Sequence, residues 1–156
     1  MLGNTTNPLL KQTEQAIMAK VEPNLQNPLQ RTITAGLEIM YGSKQGVLKN
    51  QLMKSNDFAH NAGEGAAKLV GILFIQSKKT MPVKVAVPAA TIFMCEALGF
   101  LEQSGKVKVT PELLADSTKD MAASVLQLFG VSQDKMNAMI GQSVKPRGLL
   151  NNARKV

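Results

Sequence analysis

The sequence from Val87 to Leu101, VPAATIFMCEALGFL, contains one charged residue, Glu96. A run this apolar has to be removed from water, either in the core of a helical domain, in a contact between copies of the chain, or in a membrane. A helix that crosses a membrane on its own needs about 20 apolar residues. This run is shorter, and an acid near its middle would cost on the order of 3 kcal/mol at bilayer depth. The stretch therefore favours a core or packing helix over an independent membrane span.

Start and stop signals for helices divide the rest of the chain. Asn-Pro at 7–8 and again at 27–28 places an N-cap residue before a proline at the first helical position, and Thr-Pro at 110–111 repeats the arrangement. Gly42 and Gly130 follow apolar stripes and are natural helix stops. The chain is 156 residues long, the size of one typical domain. These signals predict an all-α fold with five to seven helices in a single irregular bundle.

The predicted organisation is one helical domain over residues 1–144 followed by a basic tail at 145–156. Within the domain we expect an N-terminal helix pair at 7–42, a central apolar helical hairpin at 58–104 and a C-terminal helix pair at 110–142. Proline, glycine and polar residues separate these units, as is typical of turns.

Two short stretches near the central apolar helix admit a second interpretation. Residues 83–87 and 106–109 alternate valine with lysine or alanine, as strands do, but their shortness favours linkers. Pro88 either begins the apolar helix or kinks a longer one that starts at Pro82. The sequence does not decide between Pro82 and Pro88 as the start of the apolar helix.

Four small residues recur at helical spacing before the apolar run. Ala59, Gly63, Ala67 and Gly71 are four apart, so a helix through them presents a strip without bulk that another helix backbone can approach closely. Glycine lowers helix stability by up to about 1 kcal/mol relative to alanine, so the segment needs either such a partner or a non-helical start. We expect self-association through this strip and through the apolar face of the next helix, which contributes Ile92, Phe93, Glu96 and Phe100.

The chain has a formal net charge of +7 and far more lysine than arginine. Proteins that read nucleic-acid sequence favour the arginine fork, whereas a lysine excess indicates diffuse attraction to polyanions such as nucleic acid or an anionic lipid surface. The predicted polyanion contacts are Lys78, Lys79, Lys84, Lys106, Lys108, Lys145, Arg147, Arg154 and Lys155.

The residues available for catalysis are few. The chain has a single histidine, His60, in a polar stretch, and a single cysteine, Cys95, inside the apolar run. A reactive thiolate needs a partly exposed, electropositive setting, which that run does not offer. The sequence has no His/Cys cluster with metal-ligand spacing, and GEGAAK at 63–68 lacks the ending of a phosphate loop. We expect no enzyme activity, no catalytic residue, no metal, no cofactor and no small-molecule substrate.

Residues 68–132 resemble small α-helical virion structural proteins of tailed bacteriophages. The resemblance lies in the apolar helix with MCEAL at 94–98, the helix start KVTPELL at 108–114 and the methionine-rich end. It implies a non-enzymatic virion part that is made in the host cytoplasm, forms a homo-oligomer and contacts other virion proteins. Inner-core proteins involved in DNA ejection best match the methionine usage and the apolar hairpin, and neck, tail or capsid-lining parts are also compatible. No functional residue carries over from the resemblance.

Two alternative functions remain open on the sequence. The basic tail at 145–156 is compatible with a nucleic-acid-binding helical protein that touches DNA nonspecifically. The apolar hairpin at 58–104 has lysines at its turn and at its exit, which suits a peripheral membrane or pore-forming protein with transient membrane contact.

Overall fold

The computed structural model describes residues 6–42 and 45–130, and of residues 45–47 only the backbone. Within this part the chain forms six α-helices and no strand, which confirms the predicted all-α class. The helices are α1 (Pro8–Ala19), α2 (Pro23–Tyr41), α3 (Gln45–Leu52), α4 (Phe58–Gln76), α5 (Val83–Gln103) and α6 (Pro111–Phe129). The last helix of the predicted pair at 110–142 and the tail at 145–156 lie outside the described residues.

The predicted starts of α1 and α6 are confirmed by their caps. The side-chain oxygen of Asn7 accepts hydrogen bonds from two backbone N–H groups of the first turn of α1, at 2.9 and 3.2 Å. The Thr110 hydroxyl accepts one from the N–H of Leu113 at 3.1 Å. Gly130 ends α6 in the left-handed region, with φ +66°, which glycine adopts without a steric penalty. Local capping chemistry therefore determines these boundaries.

The predicted start of α2 at 27–28 is wrong. The helix begins at Pro23, and Pro28 lies inside it, in the second turn. A proline this close to a helix start removes one intrahelical hydrogen bond, and its φ is already helical. The hydroxyl of Thr32 donates to the carbonyl of Pro28 at 2.9 Å. The second Asn-Pro pair therefore lies within a helix that the first proline begins.

α5 begins at Val83, so the interpretation of 83–87 as a linker is wrong. Pro82 is the N-cap residue and Pro88 lies in the second turn, as Pro28 does in α2. Of the two starts that the sequence left open, the longer helix is the observed one. Residues 106–109 form the connection to α6 without regular structure, as predicted.

The apolar run becomes the central helix. α5 packs against α1, α2, α4 and α6, while α3 bridges α2 and α4. Every residue from Val85 to Gly99 is buried. Among the described residues, α5 is the one helix long and apolar enough to cross a membrane, and 83% of its most apolar window is buried within the protein. In this structure the run is a core helix.

α4 and α6 pack together most extensively and run in the same direction. Gly63 lies beside Ser117 and Met121, and about two helical turns later Gly71 lies beside Leu128. A β-carbon on Gly63 would come within 2.5 Å of the Ser117 carbonyl oxygen and 2.8 Å of the Met121 backbone nitrogen. The strip of small residues therefore lets two helices of one chain approach closely.

Candidate functional site

Three polar side chains meet inside the apolar core. Glu14 of α1 and Glu96 of α5 are each 1% exposed, and their carboxyl groups are hydrogen-bonded to one another. The hydroxyl of Tyr41, the last residue of α2, donates to Oε1 of Glu96 at 3.2 Å. The cluster joins the N-terminal helix pair to the central helix, and Cys95 lies buried beside it.

The cluster holds one shared proton between its two acids. The pKa of Glu14 is raised to about 9, mainly by burial and then by its hydrogen bond to Glu96 and the negative charge there. Glu14 is therefore protonated at neutral pH and donates to Glu96. The sequence placed Glu96 in the middle of the apolar run, and in the structure a protonated glutamic acid and a tyrosine lie against it.

The neighbouring groups are held neutral. Burial raises the pKa of the Cys95 thiol well above its usual range, with smaller contributions from Glu14 and Glu96. Burial also raises the pKa of Tyr41, and the charge of Glu96 adds to the shift. A thiol whose pKa is raised is a poor nucleophile. No group of three or more metal-ligating side chains occurs within the described part of the chain. This cluster can share a proton between its two acids and can fix how α1, α2 and α5 pack together.

The predicted self-association strip lies largely inside one chain. Ala59, Gly63 and Ala67 are buried, and Gly71 is half-buried beside Leu128. Contact with a second copy through the three buried positions would require α4 to separate from its neighbours. Only the end of the strip at Gly71 reaches the surface.

The α5 residues predicted for self-association are likewise interior. Ile92, Phe93 and Glu96 are buried, and Phe100 is half-buried. Phe93 packs so closely on α2 that a β-carbon added to Gly36 would lie 2.1 Å from its ring. Self-association remains a prediction. The exposed sides of α4 and α6 offer a surface for it that the buried residues of α5 do not.

An apolar surface that the sequence analysis did not single out lies at the C-terminal ends of α4 and α6. Ile72, Ile75 and Leu128 are 47%, 67% and 52% exposed. Ile72 and Ile75 are three apart on α4 and therefore share a face, and Leu128 lies against Gly71 on the neighbouring helix. We call Gly71, Ile72, Ile75 and Leu128 the apolar patch. The run LVGILFI at 69–75, apolar at every position, was the signal for it.

The predicted polyanion contacts of the described chain fall into two groups. Lys78 and Lys79 lie in the α4–α5 turn with φ of 58° and 65°, and Lys84 near the start of α5 pairs with Glu22 at 2.8 Å. Lys106 and Lys108 are exposed in the α5–α6 connection. α5 separates the groups by about 30 Å, given 1.5 Å per residue. They form no single surface. Lys145, Arg147, Arg154 and Lys155 lie outside the described residues.

The one histidine takes part in a surface cluster. Nδ1 of His60 lies 3.3 Å from a carboxylate oxygen of Asp120, and Nε2 lies 3.6 Å from one of Glu64. Glu64 also pairs with Lys54, whose hydrogen bond is the main reason that the pKa of Glu64 is lowered to about 2. This arrangement joins α4 to α6 and to the chain after α3.

Searches against protein-family models, curated proteins and solved structures each found no match.

Proposed function

We propose that this chain is a non-enzymatic, self-associating helical structural protein. The observation that carries the proposal is the apolar patch at the ends of α4 and α6. An exposed isoleucine is ordinary when it stands alone, but three large aliphatic side chains on adjoining helices mark an interaction surface.

The occupant that best fits the patch is a second copy of the same chain. The patch is formed by two parallel helices whose spacing is held by the close approach at Gly63. Two such surfaces can pack as a pair of helices against a pair, with the half-buried Gly71 leaving room between the larger side chains. The aliphatic residues then become the core of the contact.

The setting that we propose is a tailed-phage virion, with synthesis in the host cytoplasm. The resemblance of residues 68–132 supports it, and the patch lies within those residues. The partners would be further copies, other virion proteins and DNA, which the basic tail at 145–156 would contact nonspecifically. A role among inner-core proteins ejected with the genome remains part of this proposal.

The test is sedimentation velocity on the purified native chain and on variants of the apolar patch. We expect the native protein to sediment as an oligomer and Ile75→Lys to weaken association at least about tenfold, because a lysine cannot be buried in an apolar contact without losing its hydration. Gly71→Leu is expected to disrupt assembly as well, since it fills the gap in the patch.

The matched control is Ala123→Lys, which places the same charge on an exposed position of α6. It should sediment as the native protein does. A monomeric native protein, or an oligomer equally stable in Ile75→Lys, would contradict the role of the patch.

A second candidate function, a peripheral membrane or pore-forming protein, is favoured by one observation. α5 has the length and composition of a spanning helix. It is covered by four other helices and holds the buried Glu96, so it would have to leave the core before it could meet lipid.

A further inference from the structure

A cavity of about 160 Å³ lies between α2, α3, α4 and α5. Its inner walls are apolar and buried, with Met40, Leu52, Leu69 and Phe93 among them. An apolar cavity of about this volume accepts a ligand about as large as benzene. The space therefore fits one ring or a short alkyl chain.

The cavity opens to solvent on the outer side of α4. Ile72 and Lys68, both exposed, line its mouth together with Gln51 of α3. An apolar group can therefore enter from the surface while a polar group attached to it stays at the mouth.

Lys68 is the charged residue among those that line this mouth. Nζ of Lys68 lies 3.4 Å from the side-chain oxygen of Gln51 and 3.6 Å from a carboxylate oxygen of Glu64. Glu64 is also bound by Lys54, so its negative charge is shared between two ammonium groups. Lys68 is therefore only partly neutralised by Glu64 and can pair with an anionic group held at the mouth.

The contact between α3 and α4 fixes the position of the Gln51 side chain. Its side-chain nitrogen donates to the carbonyl of Asn61 at 3.2 Å and to Glu64 at 3.1 Å. A β-carbon on Gly65 would lie 2.9 Å from Cγ of Gln51. Glycine at this position therefore lets Gln51 lie against α4, with its oxygen toward Lys68.

We propose that this cavity binds the apolar end of a small carboxylate-bearing amphiphile, with the carboxylate held at Lys68. The apolar walls select the tail by burial, and the ammonium group at the mouth selects the head. The site lies inside a single chain and goes beyond the proposed self-association, with which it shares Ile72 at the mouth.

The first test is an NMR titration of methionine methyl groups with hexanoate and with 1-hexanol. Met40 lines the cavity. Met121 is a buried residue of α6 that does not line the cavity, so it serves as an internal control. We expect both ligands to shift the Met40 signal and not that of Met121, with hexanoate binding about tenfold more tightly. Absence of a Met40 shift with either ligand overturns the site, and equal affinities overturn the role of Lys68.

The second test uses variants of the mouth and the wall. Lys68→Gln should reduce hexanoate affinity to that of hexanol and leave hexanol unchanged. Ala97→Leu, which fills the cavity from α5, should abolish binding of both ligands, while Ala123→Leu on the surface of α6 should not. Lys68 is exposed, so its variant folds even if Ala97→Leu does not, and unchanged hexanoate binding in Lys68→Gln contradicts the proposal.

Discussion

Glu14 lies on the apolar stripe of α1, four residues after Leu10 and three before Ile17, both of which are buried. That spacing put the carboxyl on the core face, and it was a signal in the sequence that Glu14 would be buried. The identity of its partner was not readable, because Glu96 is distant along the chain and only the tertiary fold brings the two together. A protonated Glu14 donates to Glu96 without bringing a second charge into the core, whereas a lysine would have to bury its own charge.

The buried proton makes stability depend on pH in a defined direction. Glu14 titrates near its usual 4.5 in the unfolded chain and near 9 in the folded one. Between these values the folded state binds the extra proton, so rising pH favours unfolding, by up to about 1.4 kcal/mol per pH unit. Below 4.5 both states are protonated and the contribution is constant.

We predict that Glu14→Gln flattens this dependence. The amide keeps a donor for Glu96 and cannot ionise, so the variant should match the native protein near pH 5 and exceed its free energy of unfolding at pH 8 by at least about 1 kcal/mol. Urea unfolding at both pH values measures the difference. Parallel pH curves for the two proteins would show that the Glu14 carboxyl is not the group responsible.

At the scale of elements, the sequence predicted best where a boundary is made by neighbouring residues. The starts of α1 and α6 follow from their caps, and the stop at Gly130 follows from its left-handed conformation. The start of α2 was misplaced, and that of α5 was left open, because each helix contains a proline in its second turn. Whether a proline begins a helix or lies just inside it is decided by packing further along the chain, which no local signal contains.

The strip of small residues shows the same limit. Its spacing predicted a close helix contact, and the contact exists, but α6 of the same chain fills it. Sequence spacing describes the shape of a surface and not the identity of its partner.

A matched pair of glycine variants separates the two ends of the strip. A β-carbon on Gly63 meets backbone atoms of α6 at 2.5 and 2.8 Å, whereas one on Gly71 lies 3.5 Å from a methyl group of Leu128. Gly63→Ala should therefore destabilise the fold by about 1–3 kcal/mol. Gly71→Ala should be neutral or stabilise it by up to about 1 kcal/mol, through helix propensity alone.

Chemical denaturation of both variants measures these effects. Because each change adds the same single methyl group to the same helix, propensity cancels in the comparison. Equal stabilities would mean that α4 and α6 do not approach as closely at Gly63 as the structure shows.

At the scale of the whole molecule, the burial of α5 is the observation on which the two proposed functions differ most. The apolar run could be assigned to a core by its length and its acid, but the sequence could not show that four helices cover it. Exposing α5 to lipid would break its contacts with all of them, the Glu14–Glu96–Tyr41 cluster and the Phe93 contact with Gly36. That amounts to a large share of the free energy of folding, which is about 5–15 kcal/mol for a domain.

We therefore predict that the native protein binds anionic phospholipid vesicles only through its lysines. Flotation at low salt should be weak, should fall further in the double variant Lys78→Gln, Lys79→Gln, and should vanish at about 1 M salt, where the Debye length is about 3 Å. The double variant changes exposed residues of the α4–α5 turn and leaves α5 itself intact. Flotation that persists at high salt would require apolar insertion, since screening removes the electrostatic attraction and leaves the hydrophobic one. In that case an apolar surface of the protein enters the bilayer, and the membrane function replaces the structural one.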